Sequence, residues 1–298
     1  MAVIAFVNWG DSGEFGEILR WSQTVIDLAG GNPAKGAGFG VGSPLAAALA
    51  CRGVARWWLG RPGWRADLDD AIATARNSDP TTIAFVVAWT YGLEIAYGVL
   101  RAHDSALRAI EEAVQTARKA GNDHALGLAE YALGVALLNQ DAAVERHRGL
   151  ELMVKIREWN HEHGPSMIPV AELLASRERA RCGDRDAAIA VMRKAVDDLH
   201  QAQRLPHGVW GTGVLVETLL ERGADGDMAE AQEEIDRLAN HPETAGWAVL
   251  EITLLRLRAL LALARGDDVA YRNLVSRYRE MAESLGFEGH IAWAEAMT

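Results

Sequence analysis

Apolar residues recur along this chain in steps of three and four, and each such run opens on the same signal. Leu68, Ile72 and Ala75 follow Asp67; Ile110, Ala113, Val114 and Ala117 follow Asp104; Ile189, Met192, Val196 and Leu199 follow Asp184. Steps of that length put side chains on one face of an α-helix, and no run shows the period of two that a half-buried strand needs. Between these amphipathic segments lie stretches that are apolar on most sides, such as Ile83 to Leu100 and Trp247 to Ala264. A helix of that kind has to be covered from more than one direction.

The opening aspartates are themselves periodic. They stand at Asp11, Asp67, Asp104, Asp141, Asp184, Asp227 and Asp267, at intervals of 37 to 43 residues except for 56 between the first two. An aspartate at a helix start accepts backbone N–H groups of the first turn and meets the positive end of the helix dipole. Gly10, Gly183, Gly226 and Gly266 precede four of them, and glycine at that point ends the previous helix in the left-handed conformation. Gly-Asp between two periodic runs therefore predicts a tight helix–turn–helix.

Units of about 34 to 47 residues are those of helical repeat arrays. The best-preserved one runs from Val170 to Ala202, with small Ser176, the Gly183-Asp184 turn, and Ala188 and Ala195 flanking Met192 on the second helix. Arg256 to Leu285 repeats the scheme through Ala259 and Gly266-Asp267, but carries Tyr271 and Tyr278 at the two alanine positions. The pattern resembles the tetratricopeptide repeat. The expected fold is all-α, a tetratricopeptide-like α-solenoid: a right-handed superhelix of about seven antiparallel helix pairs, forming a single domain over residues 1–298.

The long first interval is read as an insertion. Gly30-Gly31-Asn32-Pro33 ends one helix, a Gly-rich loop fills residues 30–42, and Ser43-Pro44 opens the next helix with a capping serine and a proline at the first helical position. Gly10-Asp11 predicts a turn too, which leaves Met1 to Trp9 as the tail of a first helix. Its apolar start, Ala2 to Val7, suggests a chain that continues a larger protein or packs on a partner. At the other end, residues 289–297 predict a short capping helix.

Composition narrows the function. Of the 298 residues 49% are hydrophobic, enough to bury a core, and the net charge of −11 leaves no basic stripe for nucleic-acid phosphates. No segment has the length and polarity of a membrane span or a secretory leader, so a cytoplasmic protein is expected. Cys51 and Cys182 are expected to be buried small side chains, outside any disulfide or metal framework.

Few motifs carry chemistry. In the Gly-rich segment Lys35 precedes Gly36, and no Gly-Lys-Ser/Thr follows a strand, so a phosphate cradle is not expected. His161 and His163 are two apart and point to different sides of a helix, which is poor chelation geometry. No nucleophile elbow is present. The expectation is a non-enzymatic chain without metal or cofactor. The acidic pairs Asp69-Asp70, Glu111-Glu112 and Asp197-Asp198 are read as solvated, and Trp57, Trp58, Trp64, Trp89, Trp210, Trp247 and Trp293 chiefly as packing between helix layers. Counting back from the turns places Tyr97, Arg101, Arg177, Arg181 and Arg256 on the inner side of the array. Arginines there suit an acidic peptide or carboxylate, with salt bridges to neighbouring helices as the plainer alternative.

Four segments also look familiar as a set: residues 42–46, the Trp-rich Ala55-Arg56-Trp57-Trp58-Leu59-Gly60-Arg61-Pro62-Gly63-Trp64, residues 67–71, and the ending from Gly286 to Met297. They resemble the C-terminal region of large actinobacterial, especially mycobacterial, signalling proteins. There a class III adenylate/guanylate cyclase domain and an ATPase domain of the signal-transduction type precede helical repeats, and some relatives add a LuxR-type helix-turn-helix. The cyclase metal aspartates and the Walker motif have no counterpart here. The resemblance implies a non-catalytic regulatory module whose partner is a protein or peptide, such as an ATPase or cyclase domain.

Overall fold

A computed structural model describes residues 2–38, 40–163, 167–241, 244 and 246–298. Every regular element among them is a helix, as the periodicity predicts, and none is long and apolar enough to cross a membrane. In order these are α1 (Ala2–Ser12), α2 (Phe15–Ala29), α3 (Pro44–Trp58), α4 (Trp64–Ala75), α5 (Pro80–Val87), a π-turn (Ala88–Gly92) leading into α6 (Leu93–Ala96), α7 (Asp104–Lys119), α8 (Asp123–Leu138) and α9 (Ala143–His163). They continue as α10 (Ile168–Arg181), α11 (Arg185–Gln201), α12 (Leu205–Arg222), α13 (Asp227–Ala239), α14 (Ala248–Ala264), α15 (Asp268–Leu285) and α16 (Glu288–Ala296). The chain divides into two compact units, residues 1–159 and 160–298, with the boundary inside α9.

Within each unit, helices pack on their sequence neighbours: α2 on α3, α3 on α4 and α7 on α8 in the first; α10 on α11, α12 on α13 and α14 on α15 in the second. The first helices of successive pairs also touch, α10 with α12 and α12 with α14. Polar contacts across pairs carry the repeat length directly. Thr81–Asn122 lies 41 residues apart, Gln140–Ala102 38, Asp186–Arg222 36, Arg193–Glu230 37 and Arg256–Glu217 39. These separations, close to the spacing of the aspartates, are consistent with a helical repeat.

The recurrent aspartates fill three different roles. Asp267 is the N-cap expected of it, accepting the Ala270 N–H at 3.0 Å, and Asp184 occupies that position without a side-chain bond. Asp104 is the first residue of α7, just past the cap position held by His103, and Asp141 stands just ahead of α9. Asp67 and Asp227 are not caps. Gly63 and Gly226 take the cap positions of α4 and α13 in left-handed conformation, and both carboxylates are buried against arginines. Asp67 accepts Arg52 Nη2 at 2.6 Å and Arg56 Nη1 at 2.7 Å; Asp227 accepts Arg222 Nη2 at 2.6 Å and Nε at 2.9 Å. Two-pronged pairing of this kind offsets the desolvation that a lone buried carboxylate would suffer.

Gly10-Asp11 corrects the expectation of a turn, since both residues lie within α1 and the chain turns at Gly13 (φ 85°). The glycine is needed for packing instead: a Cβ on Gly10 would come within 2.7 Å of the Trp89 indole. The capping serine is found as predicted, with Ser43 Oγ accepting the Ala46 N–H at 3.2 Å. No regular helix interrupts residues 30–42 among those described, and Phe39 lies outside them. The end of this loop is tied down, because the Gly42 N–H donates to Asp79 Oδ2 at 2.7 Å and to Thr82 Oγ1 at 2.9 Å. Burial works against the Asp79 charge, yet the Thr82, Gly42 and Ser78 donors hold its pKa below the ordinary value.

Ser176, Ala188, Met192 and Ala195 are all buried, as the thin-face reading requires. The tyrosines that replace alanines in the last unit hold the final helix. Tyr271 donates to the Met297 carbonyl at 2.7 Å, and the buried Tyr278 hydroxyl lies 2.8 Å from His290 Nδ1. In the first unit, Gly134 and Gly149 let α8 and α9 meet backbone to backbone: a Cβ on Gly149 would lie 2.9 Å from Leu138 N and 3.0 Å from Gly134 O. Gly16 of α2 faces open space. Glycine to alanine should therefore give opposite signs in urea unfolding. Gly16→Ala gains up to about 1 kcal/mol from helix propensity, whereas Gly149→Ala loses about 1–3 kcal/mol from overpacking.

Candidate functional site

The charged cluster of the second unit is built on its three first helices. Arg177 and Arg181 lie one turn apart on α10, Glu217 and Glu221 one turn apart on α12, and Arg256 projects from α14. Arg177, Glu217 and Arg256 are spaced by 40 and 39 residues, so equivalent positions of successive layers bear alternating charge. Apolar neighbours such as Leu173, Leu174, Val214 and Leu257 fix the backbones beneath them.

The pairing is uneven. Arg256 donates to Glu217 with both side chains 18% exposed, and its guanidinium sits 4.5 Å from the centre of the Trp293 ring. Burial opposes the charge on Arg256, but Glu217 more than offsets it, and its pKa is raised. Arg181, which is exposed, reaches the buried carboxylate of Glu178 at 3.4 Å. Arg177 differs from both. Burial first, then the nearby Arg181 and Arg256 cations, bring its pKa down to about 10 despite Glu217 and Glu221. A charge held at such a cost gains from an added anion.

The structure brings three of the five expected groove residues together in one unit and leaves two elsewhere. Arg256 follows the salt-bridge alternative. Tyr97, just beyond α6, is 7% exposed and packs with ring centres 5.6 Å from Trp57 and 5.1 Å from Trp58. Arg101 is exposed on the segment before α7.

The Trp-rich segment belongs to the same core as Tyr97. Trp57, Trp58 and Trp64 are buried, with Trp58 stacked 4.8 Å from Phe15, and Trp210 and Trp247 are buried in the second unit. Trp89 and Trp293 are half-buried. Asp69-Asp70 and Glu111-Glu112 are exposed, as expected for solvated pairs.

Cys51 is buried and its thiol pKa pushed up by desolvation, but Cys182 corrects the expectation of burial. It stands exposed at the C-cap of α10. Of the spaced histidines His161 is exposed, while the side chains of Glu162 and His163 lie outside the described residues. No group of three or more His, Cys, Asp or Glu among the described residues is arranged to hold a metal ion.

Against known proteins, the chain matches no family model and no curated sequence. The site therefore stands on its own geometry.

Sequence reasoning missed Glu217 and Glu221, and read Trp293 as packing between helix layers. The first two were legible in principle as acidic residues one repeat away from Arg177 and Arg181. The pKa of Arg177 has a consequence for binding. An anion held by this guanidinium needs it protonated, so affinity should fall as pH rises through about 10, rather than near the ordinary arginine range of about 12.5. Titrating a carboxylate-rich peptide against the protein between about pH 8 and 11 checks this, with Arg177→Ala expected to remove the transition.

Proposed function

We propose that this chain is a non-catalytic regulatory and interaction module of a bacterial cyclase/ATPase-type signalling protein or transcriptional regulator, and that it captures an acidic segment of a protein partner. The observation that carries the reading is Arg177, a half-buried cation among alternating charges on the first helices of three successive pairs. Arg181, one turn further on and exposed, adds a second donor on the same helix face. Two guanidiniums at that spacing suit a pair of carboxylates, each bound in the planar two-pronged geometry that arginine favours.

The signalling context comes from the resemblance of the Trp-rich and C-terminal segments. In this reading partner binding is transmitted through contacts between successive helix pairs to an attached or separate ATPase or output domain. A free-standing protein that takes a peptide or small acidic ligand on the same arginines is the alternative, and the two differ in one measurement. Offered the ATPase domain in trans, the regulatory module should bind it and change its turnover; no binding and no change defeats that version. Arg177→Glu together with Arg181→Glu should weaken capture of an acidic peptide by tenfold or more on either version. Because Arg181 is exposed and Arg177 half-buried, the helical signal in circular dichroism should persist. Unchanged peptide affinity in the double variant would remove the site.

A further inference from the structure

How far a carboxylate between two arginines quiets each of them depends on which one holds it. Glu217 is in that position. Arg177 of α10 lies 40 residues before it and Arg256 of α14 39 residues after, on helices that both pack against α12. Its hydrogen bond goes to Arg256, whereas it acts on Arg177 through its charge. Around Arg177 stand Arg181 on its own helix, itself paired with Glu178, then Glu217 and Glu221 on α12 and Arg256 on α14. Tyr278 of α15 faces Glu217 and Arg256 from behind them in sequence.

What commits Glu217 to Arg256 is found in the last helix of the unit. The alternation Arg177, Glu217, Arg256 does not continue with another acid. Trp293 stands 37 residues beyond Arg256, and its ring centre is 4.5 Å from the guanidinium. An indole face attracts a cation but gives it no counter-charge. Arg256 Nε is buried without a hydrogen-bond partner among the described residues, so the indole and the Glu217 carboxylate hold the group. Trp293 is braced in turn. The His290 ring meets it edge-on at 4.9 Å, His290 Nδ1 lies 2.8 Å from the Tyr278 hydroxyl, and Tyr271 ties down the end of α16 through the Met297 carbonyl.

We infer that Arg256, seated on Trp293, is a positioning residue for the anion site: it keeps Glu217 engaged and so reserves the charge of Arg177 for the carboxylates of a partner. The inference rests on the reading of Arg177 and Arg181 as that site, and names what sets its strength. Without Arg256, the Glu217 carboxylate turns to Arg177 and competes with the ligand for the same donors. Arg177 also loses a cationic neighbour, and both changes favour its protonated form. Without Glu217, the two arginines face each other uncompensated, and an added anion is held more strongly while Arg177 gives up its proton more readily. The two removals therefore act in opposite directions.

The test is calorimetric titration of the full chain with a peptide whose only charges are two adjacent glutamates, repeated from about pH 7 to 11. Arg256→Met should weaken binding at pH 7 about tenfold and move its loss above the wild-type transition near 10. Glu217→Gln should tighten binding about tenfold and move the loss to lower pH. Adding Glu217→Gln to Arg256→Met should restore the wild-type affinity. A residue that merely supported the helices would lower affinity without shifting the transition, and a second substitution beside it would not rescue binding. If Arg256→Met loses its helical circular dichroism, the shift in Glu217→Gln still decides. No binding of the peptide by the wild-type chain overturns the anion site and this role with it. Binding by the wild type, with Glu217→Gln unchanged or weaker, overturns the positioning role alone.

Discussion

A helix that is apolar on nearly every side cannot be satisfied by one partner, and that constraint organises this molecule. α12 is the clearest instance: from Leu205 to Val216 every residue is buried. It is covered by α11 and α13, its chain neighbours, and by α10 and α14, the first helices on either side. α8 is in the same position in the first unit, and there glycines bring the backbones close enough to shut out water. Burial on two sides forces each pair to be followed by another, and a repeat period results from this packing need.

Apolar packing tolerates sliding, so the register is held by polar contacts. Pairs separated by roughly one repeat, such as Arg193 with Glu230 and Arg256 with Glu217, are satisfied only when adjacent layers align. Asp67 and Asp227 do the same work within a pair. The chemistry available for recognition comes from this same set of charges. Arg256 is tied to Glu217, and at Arg177 burial and the neighbouring cations lower the pKa despite Glu217 and Glu221.

How much of this could be read from sequence depends on the distance over which each feature is determined. Helix positions follow from steps of three and four, and Ser43 and Asp267 cap as their local sequence says. Gly10-Asp11 has the same local sequence as a real turn, yet it lies inside α1, where the glycine makes room for Trp89, some eighty residues away. Asp67 and Asp227 are displaced from caps by arginines that local pattern does not locate. Tyr97 was placed on a groove by counting back from Asp104, yet α6 ends at Ala96 and residues 97–103 are not helical, so a helical count has no phase to carry across them. Arg177, Arg181 and Arg256 lie within regular helices, where the count keeps its phase.

Helices covered on two sides hold each unit together, and their outer partners lean on them. Native-state hydrogen exchange resolved by residue measures this directly. Within the second unit, the amides of α12 and α14 should exchange slowest and together, with α13, α15 and α16 opening at lower free energy. If α12 exchanges as fast as α13 or α16, the account of a stack organised by doubly covered helices is contradicted.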